Sequence, residues 1–453
     1  MANLSLEQQA QRIENMKFAE RSVIKCSNRV RVRDYMPGQV TYNLGPYPKR
    51  FSIRPTEYDY QIIQKLAEKG VELIQIHEEW NDSIRHLGAD KFSSHDPQGL
   101  HEFIDLCHRF HIKVIPYISS NYFDERDVDF REDFARYQNT NRNLHFHYRP
   151  CSLESPTWSK YLFDKVTAML EEYDFDGLYN DMGYDELLAY RVQAAQNGEE
   201  RDDTKVPYNP CAEDMLVRLY HLCKSRGKIM KHHYAGCLKP ETREKFYDYL
   251  WVGENVKDLS DLTKTAKYDP YVVPCPDFKD MDMKDYERVF AHFLPLMQFP
   301  LRADGRPFNM YDKMNEPGVA YTKYPADHPF QRQADFAKAH PNGPYMYSEW
   351  SSMPENEAYR EKWFDYLAIY RKMAKEDSLC HVDIKESTLF AGKVPENVYM
   401  TLYTSEEQFL CIANCSDRKE ELVLNDSWTD YETGQPVTLL ELVPNKVRFL
   451  KRG

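Results

Sequence analysis

Two carboxylates, far apart in the chain, each follow a short apolar run. Asp181 ends the segment Asp174-Phe-Asp-Gly-Leu-Tyr-Asn-Asp181, and Glu254 ends the segment Tyr249-Leu-Trp-Val-Gly-Glu254. If both runs are strands of one parallel barrel, both acids lie on the rim where the loops enclose a concave surface. Carboxyl groups about 5–5.5 Å apart can act as nucleophile and acid/base in a retaining glycosidic displacement. The alternative is that each acid caps the segment that follows it.

The residues beside the two acids suit different protonation states. The apolar residues before Glu254 favour its protonated form, which a general acid needs. Tyr179 and Asn180 offer hydrogen-bond donors that keep Asp181 ionised. Asp258 comes shortly after Glu254, and either of them fits the acid/base position.

A set of polar and aromatic residues is predicted to bind a sugar at the same rim. The sequence His77-Glu78-Glu79-Trp80 follows an apolar run, and acids beside an indole suit the hydroxyls and the apolar face of a sugar. The alternative is a group of solvated charges that opens a loop. The predicted substrate-binding residues are His77, Glu78, Trp80, Asn121, Tyr179, Asn180, His232, His233, Trp251, Asn255 and Asp258.

Histidines raise the alternative of a metal site. His145 and His147 have an H-x-H spacing, and with His232 and Glu78 they would supply zinc donors to a metal-dependent hydrolase. His145 and His147 fall in a predicted loop, however, where substrate contacts or structural roles suit them better. We therefore predict no metal site and no cofactor.

The elements that would position these residues alternate between strands and helices. Short apolar runs between helices are typical of a parallel sheet covered on both faces, and the number of units favours a closed (β/α)8 barrel over an open sheet. Strands are predicted at about 39–53, 71–77, 112–118, 176–181, 228–234, 249–254, 268–273, 294–299 and 345–350. Helices are predicted at about 4–20, 56–70, 99–110, 158–173, 212–226, 240–248, 284–293 and 355–375.

Near residue 380 the pattern changes to β-rich runs between Gly, Asn, Asp and Pro turns, with no helix between them. The predicted fold is an α/β TIM barrel followed by a small C-terminal antiparallel β-sandwich. An N-terminal helix and extended segment would cover 1–54, the barrel 55–378 and the sandwich 379–453. Long polar loops at about 119–157, 182–210 and 301–344 are expected to build the site.

The composition excludes some classes of partner. A net charge of −13 disfavours a phosphate backbone, so no nucleic acid partner is predicted. No apolar run approaches about 18 residues, which predicts neither a membrane span nor a signal peptide. The ten cysteines are scattered, as is typical of free thiols in a reducing compartment, so we expect a cytoplasmic protein. A homo-oligomer is left open.

The order of these motifs resembles the α-galactosidase (melibiase)-like clan of retaining glycoside hydrolases. The resemblance is carried by Val71-Glu-Leu-Ile-Gln-Ile-His-Glu-Glu-Trp80, by the segment Asp96–Tyr117, by Asp176-Gly-Leu-Tyr-Asn-Asp181 and by Trp251-Val-Gly-Glu-Asn255. It covers roughly residues 55–300 and the trailing β domain.

The resemblance implies that Asp181 is the nucleophile and Glu254 the acid/base, with Glu78 and Trp80 in the sugar pocket. The chain departs from the family at Tyr179, where a Lys is usual, and at Glu254, where an Asp is usual. These departures mark it as a divergent member.

The predicted function is a retaining, exo-acting α-glycosidase related to α-galactosidases, acting on oligosaccharides or glycosides by double displacement. A non-catalytic carbohydrate-binding barrel and the metal-dependent hydrolase are the alternatives. Arg302 and Lys231 would favour an anionic sugar if they reached the pocket.

Overall fold

The computed structural model describes residues 4–46, 51–81, 92–136, 141–143, 146–182, 184–199, 208–234, 240, 242–253, 259, 271–275, 286–307, 335, 339 and 357–452. The strands, in chain order, are β1 (Val23–Arg31), β2 (Val40–Asn43), β3 (Leu73–Ile76), β4 (Lys113–Ser119), β5 (Tyr122–Asp124), β6 (Asn141–Asn143), β7 (Phe146–Pro150), β8 (Gly177–Met182), β9 (Ile229–Tyr234), β10 (Tyr249–Val252), β11 (Val272–Pro274), β12 (Arg302–Gly305), β13 (Leu379–Ser387), β14 (Val398–Thr404), β15 (Gln408–Asn414), β16 (Glu420–Asp430), β17 (Pro436–Leu442) and β18 (Val447–Arg452). The helices are α1 (Leu6–Ser22), α2 (Glu57–Glu68), α3 (Pro97–Arg109), α4 (Pro156–Glu172), α5 (Tyr184–Asn197), α6 (Pro210–Lys224), α7 (Tyr286–Phe293) and α8 (Glu357–Met373).

Eight strands form one parallel sheet whose spatial order follows the chain. The sheet runs β11-β10-β9-β8-β4-β3-β2-β12, so the last of these strands pairs with the first, with Arg302–Gly305 in register with Val40–Asn43. The seventh and eighth strands are joined by a hydrogen bond of 2.7 Å from the Leu301 N–H to the Pro274 carbonyl. The sheet thereby curls round to the predicted (β/α)8 barrel, with β2 in the early segment where the first strand was expected.

Three of the helices that cover the barrel begin with the same local chemistry. Asp96, Ser155 and Asn209 are N-caps whose side chains accept hydrogen bonds from the first turn, and each is followed by a proline. Proline is tolerated there because the first N–H of a helix has no helical partner. Each cap fixes where the preceding connection ends and the helix begins.

The eighth strand differs from its prediction. Residues 294–299 were expected to form a strand, but Leu294–Leu296 is a 3-10 turn that ends at Met297 with φ 58°. Pro295 has no N–H to give to a ladder, which makes it a poor residue for a central strand. The eighth strand is instead β12, inside a segment predicted to be a loop. A helix expected at 240–248 does not form in the described residues 242–248, and the strand expected at 345–350 lies outside the described residues.

The C-terminal strands form an antiparallel sheet, as predicted, but they do not form a sandwich of two separate sheets. They make one seven-stranded sheet in the order β1-β13-β14-β15-β18-β16-β17. Its edge strand β1 comes from a segment predicted to be irregular, and it pairs with β13 along its whole length. Helix α1 packs against this sheet, with the Phe18 ring edge-on to the Trp428 ring at a centroid distance of 6.5 Å. The N-terminal helix and strand are therefore part of the C-terminal layer.

The central strand β15 shows how this sheet is anchored to the barrel. All seven of its residues are buried. Phe409 and Cys411 belong to the barrel's hydrophobic core, whereas Leu410 and Ile412 belong to a second core under the sheet. Because side chains alternate between the two faces of a strand, one face packs on the barrel and the other closes a core of its own.

A buried ion pair fastens the first barrel strand to the end of the eighth. Arg306 donates to both carboxylate oxygens of Asp59 at the start of α2, and also to the backbone carbonyls of Leu44 and Ile53. Although burial disfavours the charged carboxylate, hydrogen bonds from Arg306, from the Thr56 N–H and from the Tyr42 hydroxyl hold the pKa of Asp59 below its ordinary value. The guanidinium thus links α2, the segment after β2 and β12.

We expect Arg306→Met to lower the free energy of unfolding by about 3 kcal/mol at pH 7, because it leaves the Asp59 carboxylate buried with fewer donors. Since the pKa of Asp59 is lowered by folding, the stability from its charged form is lost as the pH falls below its unfolded value. The difference in unfolding free energy between wild type and Arg306→Met should therefore be smaller in acid. Denaturant unfolding at pH 7 and at about pH 3 would measure it.

The control is Arg54→Met, which removes an exposed guanidinium paired with Glu102 and should change stability by less than about 1 kcal/mol. Equal losses in the two variants would contradict the assigned role of Arg306.

Candidate active site

Side chains of the barrel strands alternate between the lumen and the surrounding helices. The Lys231 amine on β9 donates to the side chains of Gln39 and Gln75. Gln39 lies just before the first barrel strand and Gln75 lies in the second. Such a contact can cross only through the lumen, so Lys231 faces inward, and its in-register neighbours face the same way. The lumen-facing residues of the third, fourth and fifth barrel strands toward the rim are Tyr117, Ser119, Tyr179, Asp181, Lys231 and His233.

Asp181 lies at the C-terminal end of the fourth barrel strand, where a rim carboxylate was predicted. The Tyr117 hydroxyl donates to its Oδ2 at 2.9 Å, and the Nδ1 atom of His233 lies 3.1 Å from its Oδ1. The side chain is 15% exposed, so it is held from below while part of it faces the barrel mouth. A carboxylate oriented by two neighbouring strands is preorganised for attack or for proton transfer.

Aromatic rings form the floor beneath Asp181. The ring of Trp251 stands edge-on to the His233 imidazole with centroids 4.2 Å apart, and it is tilted against Tyr179 at 5.9 Å. Tyr179 also meets Tyr117 edge-on at 5.6 Å and His77 at 5.4 Å. These contacts join five barrel strands in one packed layer, which fixes the side chains that touch the acid.

A buried polar layer lies in the lumen with these rings. The Lys231 amine donates to the Gln39 Oε1 atom at 2.8 Å and to Gln75 Oε1, and the Gln75 amide nitrogen lies 2.9 Å from the His77 Nε2 atom. Among the described residues, no carboxylate pairs with Lys231. Burial lowers the pKa of Lys231 to about 7, since the low dielectric disfavours the ammonium.

Four of the predicted substrate-binding residues join Asp181 in this arrangement: His77, Tyr179, His233 and Trp251. Each of them is buried, so Tyr179 and Trp251 line the floor under the acid and do not present an open ring face. His233 and Tyr117 hold the acid, and His77 stands beside Tyr117 at the end of the second barrel strand.

Two predicted residues point away from the lumen. Asn180 and His232 each lie one position from an inward residue, and their side chains meet each other, Nδ2 to Nδ1, at 3.4 Å. Burial, with the neighbouring His233, lowers the pKa of His232 to about 3, so its imidazole is neutral at ordinary pH. The His232 ring stacks on Tyr247 outside the strand. The alternation of a strand therefore removes both residues from the predicted pocket.

Trp80 and Asn121 are also buried. The Trp80 indole donates to the Tyr117 carbonyl at 3.0 Å and packs edge-on against Phe175 at 5.7 Å, so it supports the third barrel strand from outside. Asn121 is fully buried after β4, and its carbonyl accepts from the Cys151 N–H. We therefore leave Trp80 out of the proposed sugar pocket. Glu78 is buried in the 3-10 turn that follows His77.

Several predicted residues lie outside the described part of the chain. They are Glu254, Asn255, Asp258 and His145, and of His147 only the backbone, in β7, is described. The chain leads to Glu254 through Gly253, whose φ is 121°. A Cβ atom at Gly253 would lie 2.4 Å from the Cys275 carbonyl oxygen, so only glycine fits where β10 leaves the sheet beside β11.

Arg302 does not reach the lumen. Its guanidinium bonds Asp304 at 2.9 Å and lies over the Phe364 ring of α8, and Arg360 bonds the same carboxylate. This charge therefore ties β12 to α8 and offers nothing to an anionic sugar. Lys231 faces the lumen, but below the rim and already bonded to two amides.

Sequence reasoning missed Tyr117, which holds Asp181 from β4, and the two glutamines bonded to Lys231. Tyr117 lies two positions before Ser119, the residue in register with Asp181, so it faces the same side. Gln75 occupies an inward position of β3, and Gln39 lies one residue before β2. A register estimate between predicted strands would have found Tyr117, but no local signal shows that a glutamine is buried.

No cluster of three or more metal-ligating side chains occurs among the described residues. Within the same residues, no helix is both long enough and apolar enough to cross a membrane.

We expect the stability of the wild-type protein, relative to Lys231→Met, to rise with pH between about 7 and 10. The sign follows because the pKa of Lys231 is lowered by folding, so in this range the unfolded chain binds a proton that the folded chain has released. Denaturant unfolding at several pH values would measure the stability difference between wild type and Lys231→Met, with Lys65→Met at an exposed position as the control. Parallel pH curves for wild type and Lys231→Met would contradict a buried lysine of lowered pKa.

Comparison with known proteins identifies the architecture. No protein-family model matches the chain, and no curated protein matches it in sequence. Among solved structures, the chain is similar to an α-glucosyl transfer enzyme, XgtA, with a TM-score of 0.57 and 12% identity over 92% of this chain and 99% of that one. It is also similar to an α-amylase from Geobacillus thermoleovorans, with a TM-score of 0.54 and 10% identity over 92% and 98% of the two chains.

A third similar structure is the trehalose-6-phosphate hydrolase of Bacillus licheniformis, with a TM-score of 0.52 and 13% identity over 92% of this chain and all of that one. None of the three is an α-galactosidase, so they support the barrel of the predicted fold without supporting that clan in particular. At these identities the similarity establishes the fold, a TIM barrel followed by a C-terminal β domain.

Proposed function

We propose that the chain is a retaining glycoside hydrolase, an α-glycosidase, in which Asp181 is the nucleophile and Glu254 the acid/base. The observation that carries the proposal is the partly exposed Asp181 carboxylate at the end of the fourth barrel strand, oriented by Tyr117 and His233. The solved structures with the same architecture over nearly the whole chain include an α-amylase and a trehalose-6-phosphate hydrolase, which supports a carbohydrate substrate.

The strand arrangement supports pairing Asp181 with an acid that follows β10. One strand, β9, lies between β8 and β10. At about 4.8 Å per strand, the ends of β8 and β10 lie about 10 Å apart, and side chains that extend inward from both ends can come closer. A retaining displacement needs carboxyl groups about 5–5.5 Å apart.

In this mechanism the Asp181 carboxylate attacks the anomeric carbon while Glu254 donates its proton to the leaving oxygen. The bond from the sugar to the aglycone breaks as the bond to Asp181 forms. Glu254, now ionised, takes a proton from water, and the resulting attack releases the sugar and restores Asp181. Tyr117 and His233 hold the Asp181 carboxylate through both steps, so little reorganisation is needed at the nucleophile.

The sugar is the open part of the proposal. The resemblance in the sequence motifs favours α-galactosides and an exo mode of action, whereas the similar solved structures are named for α-glucan, α-glucosyl and trehalose-6-phosphate chemistry. A panel of aryl α- and β-glycosides, with NMR of the anomer first released, identifies the sugar and tests retention together.

One of the three histidines that the metal-dependent alternative requires, His232, is not available for it. His232 faces the outer side of β9, is fully buried and is bonded to Asn180, so it does not point into the lumen. The non-catalytic carbohydrate-binding barrel is the second candidate, because a partly exposed carboxylate at the barrel rim can bind sugar hydroxyls without reacting. Oligosaccharide binding by calorimetry without any hydrolysis would favour that candidate.

We expect Asp181→Asn to reduce kcat on an activated aryl glycoside by a factor on the order of 10⁴, because the amide cannot form the glycosyl-enzyme bond. Glu254→Gln should abolish turnover of a natural glycoside but retain the burst of an aryl glycoside with a good leaving group, which needs no protonation to depart. Steady-state and burst kinetics would measure both effects.

The matched control is Asp174→Asn, which makes the same change at an exposed position before the same strand and should leave kcat unchanged. Full activity of Asp181→Asn on every member of the panel would rule out Asp181 as the nucleophile.

We expect Tyr117→Phe to lower kcat about tenfold or more while leaving the fold intact. The change removes one hydroxyl whose hydrogen bond to a charged group is worth about 1.5–3 kcal/mol, and the ring still fills its place between Tyr179 and His77. Kinetics on the same aryl glycoside would measure the change. Tyr122→Phe, in β5 just after the strand that carries Tyr117, is the control, and an equal loss there would assign the effect to packing.

A further inference from the structure

The lumen contains a chain of hydrogen bonds that ends on an imidazole at the rim. It runs from the Lys231 amine to the Gln75 side chain and from there to the Nε2 atom of His77. We propose that Lys231, acting through Gln75, fixes His77 as the neutral tautomer that carries its proton on Nδ1. Lys231 is then a positioning residue, and the buried Nδ1 atom of His77 is an N–H donor.

The direction of each hydrogen bond follows from the chemistry of the groups. Below its pKa of about 7, Lys231 is an ammonium with three donors and no acceptor, so at pH 6.5 the atom of Gln75 that faces it must be the carbonyl oxygen. The amide nitrogen of Gln75 then faces His77, and it can only donate. The His77 Nε2 atom must therefore accept, which leaves Nδ1 as the protonated nitrogen of the neutral ring.

The surroundings prevent the amide from turning over. Gln75 and Lys231 are buried, as is Gln39, the other amide bonded to Lys231. The Gln39 amide nitrogen donates to the Met36 carbonyl at 3.3 Å, so this second amide also points its oxygen at the lysine. Both glutamines are thus polarised in the same sense by one cation.

The His77 ring is held in place by two aromatic neighbours. It stacks on Tyr117 with centroids 5.9 Å apart and an interplanar angle of 22°, and it meets Tyr179 edge-on at 5.4 Å. Tyr117 is the residue that donates to Asp181. The orientation of His77 and that of the Asp181 carboxylate are therefore set by the same tyrosine.

The consequence for the site rests on the proposed function. A group that meets the buried Nδ1 atom of His77 has to be an acceptor, so a sugar hydroxyl that reached it would present a lone pair rather than its proton. Together with the buried Glu78 beside it, which accepts when ionised, the end of the second barrel strand would then offer one donor and one acceptor to neighbouring hydroxyls.

The test is the ¹⁵N spectrum of histidine-labelled full-length protein at pH 6.5, where the two tautomers of a neutral imidazole give distinct nitrogen shifts. The His77 signals are assigned by their loss in His77→Asn. In wild type we expect the proton on Nδ1. Gln75→Glu should move it to Nε2, because a carboxylate only accepts and would take hydrogen bonds from both Lys231 and His77.

Gln39→Met is the matched control, since it removes the other amide bonded to Lys231 without touching His77, and it should leave the Nδ1 proton in place. Lys231→Met should give a mixture of the two His77 tautomers, because the Gln75 amide is then free to turn over. Gln75→Glu should also weaken sugar binding by calorimetry about tenfold, the value of one hydrogen bond. A proton on Nε2 in wild type, or an unchanged spectrum in Gln75→Glu, would overturn the proposal.

The spectrum distinguishes failure of this proposal from failure of the proposed function. If no glycoside is hydrolysed but the proton lies on Nδ1 and moves in Gln75→Glu, the positioning role stands without the glycosidase. If glycosides are hydrolysed and the proton lies on Nε2, the glycosidase stands and the role of Lys231 does not.

Discussion

The site depends on one constraint, the alternation of side chains along strands in a closed parallel sheet. Because of this alternation, Tyr179 and Asp181 face the lumen and Asn180 faces away from it. On the next strand His233 faces the lumen and His232 faces away. Because the sheet curls through eight strands, the inward side chains of strands that are not neighbours come into contact. A shift of one residue in the register of β8 would replace the acid at the rim with an amide.

The lumen is filled in an unusual way below that rim. Barrel interiors are usually packed with branched apolar side chains, whereas this one holds a lysine, two glutamines and several rings. Burying Lys231 with no carboxylate partner in the described part of the chain is costly, and the cost is reduced by the two amide oxygens and by the Tyr179 ring 5.8 Å from the amine. Such polar networks specify one arrangement of side chains more sharply than apolar packing does.

The sequence predicted the barrel because short apolar runs alternate with helical segments, but it missed the N-caps at Asp96, Ser155 and Asn209, so three helices begin about two residues before their predicted starts. The eighth strand was not predicted, because Arg302 and Asp304 are typical of an exposed loop. Both are buried in an ion-pair network against α8. The strand β1 was not predicted, because its partner strand lies at the other end of the chain. Asp181 was found from its place after an apolar run, but the tyrosine that holds it depends on register between strands, which no local pattern reveals.

The pairing of β1 with β13 has a consequence for biosynthesis. Arg31 and its partner Leu379 are separated by roughly 350 residues, so β1 leaves the ribosome long before the strand that it pairs with. At about 5–20 residues per second, this interval lasts about 20–70 s. During translation the first thirty or so residues must therefore wait as an open β edge, and a chaperone that shields them would have its main work before the last sixth of the chain is made.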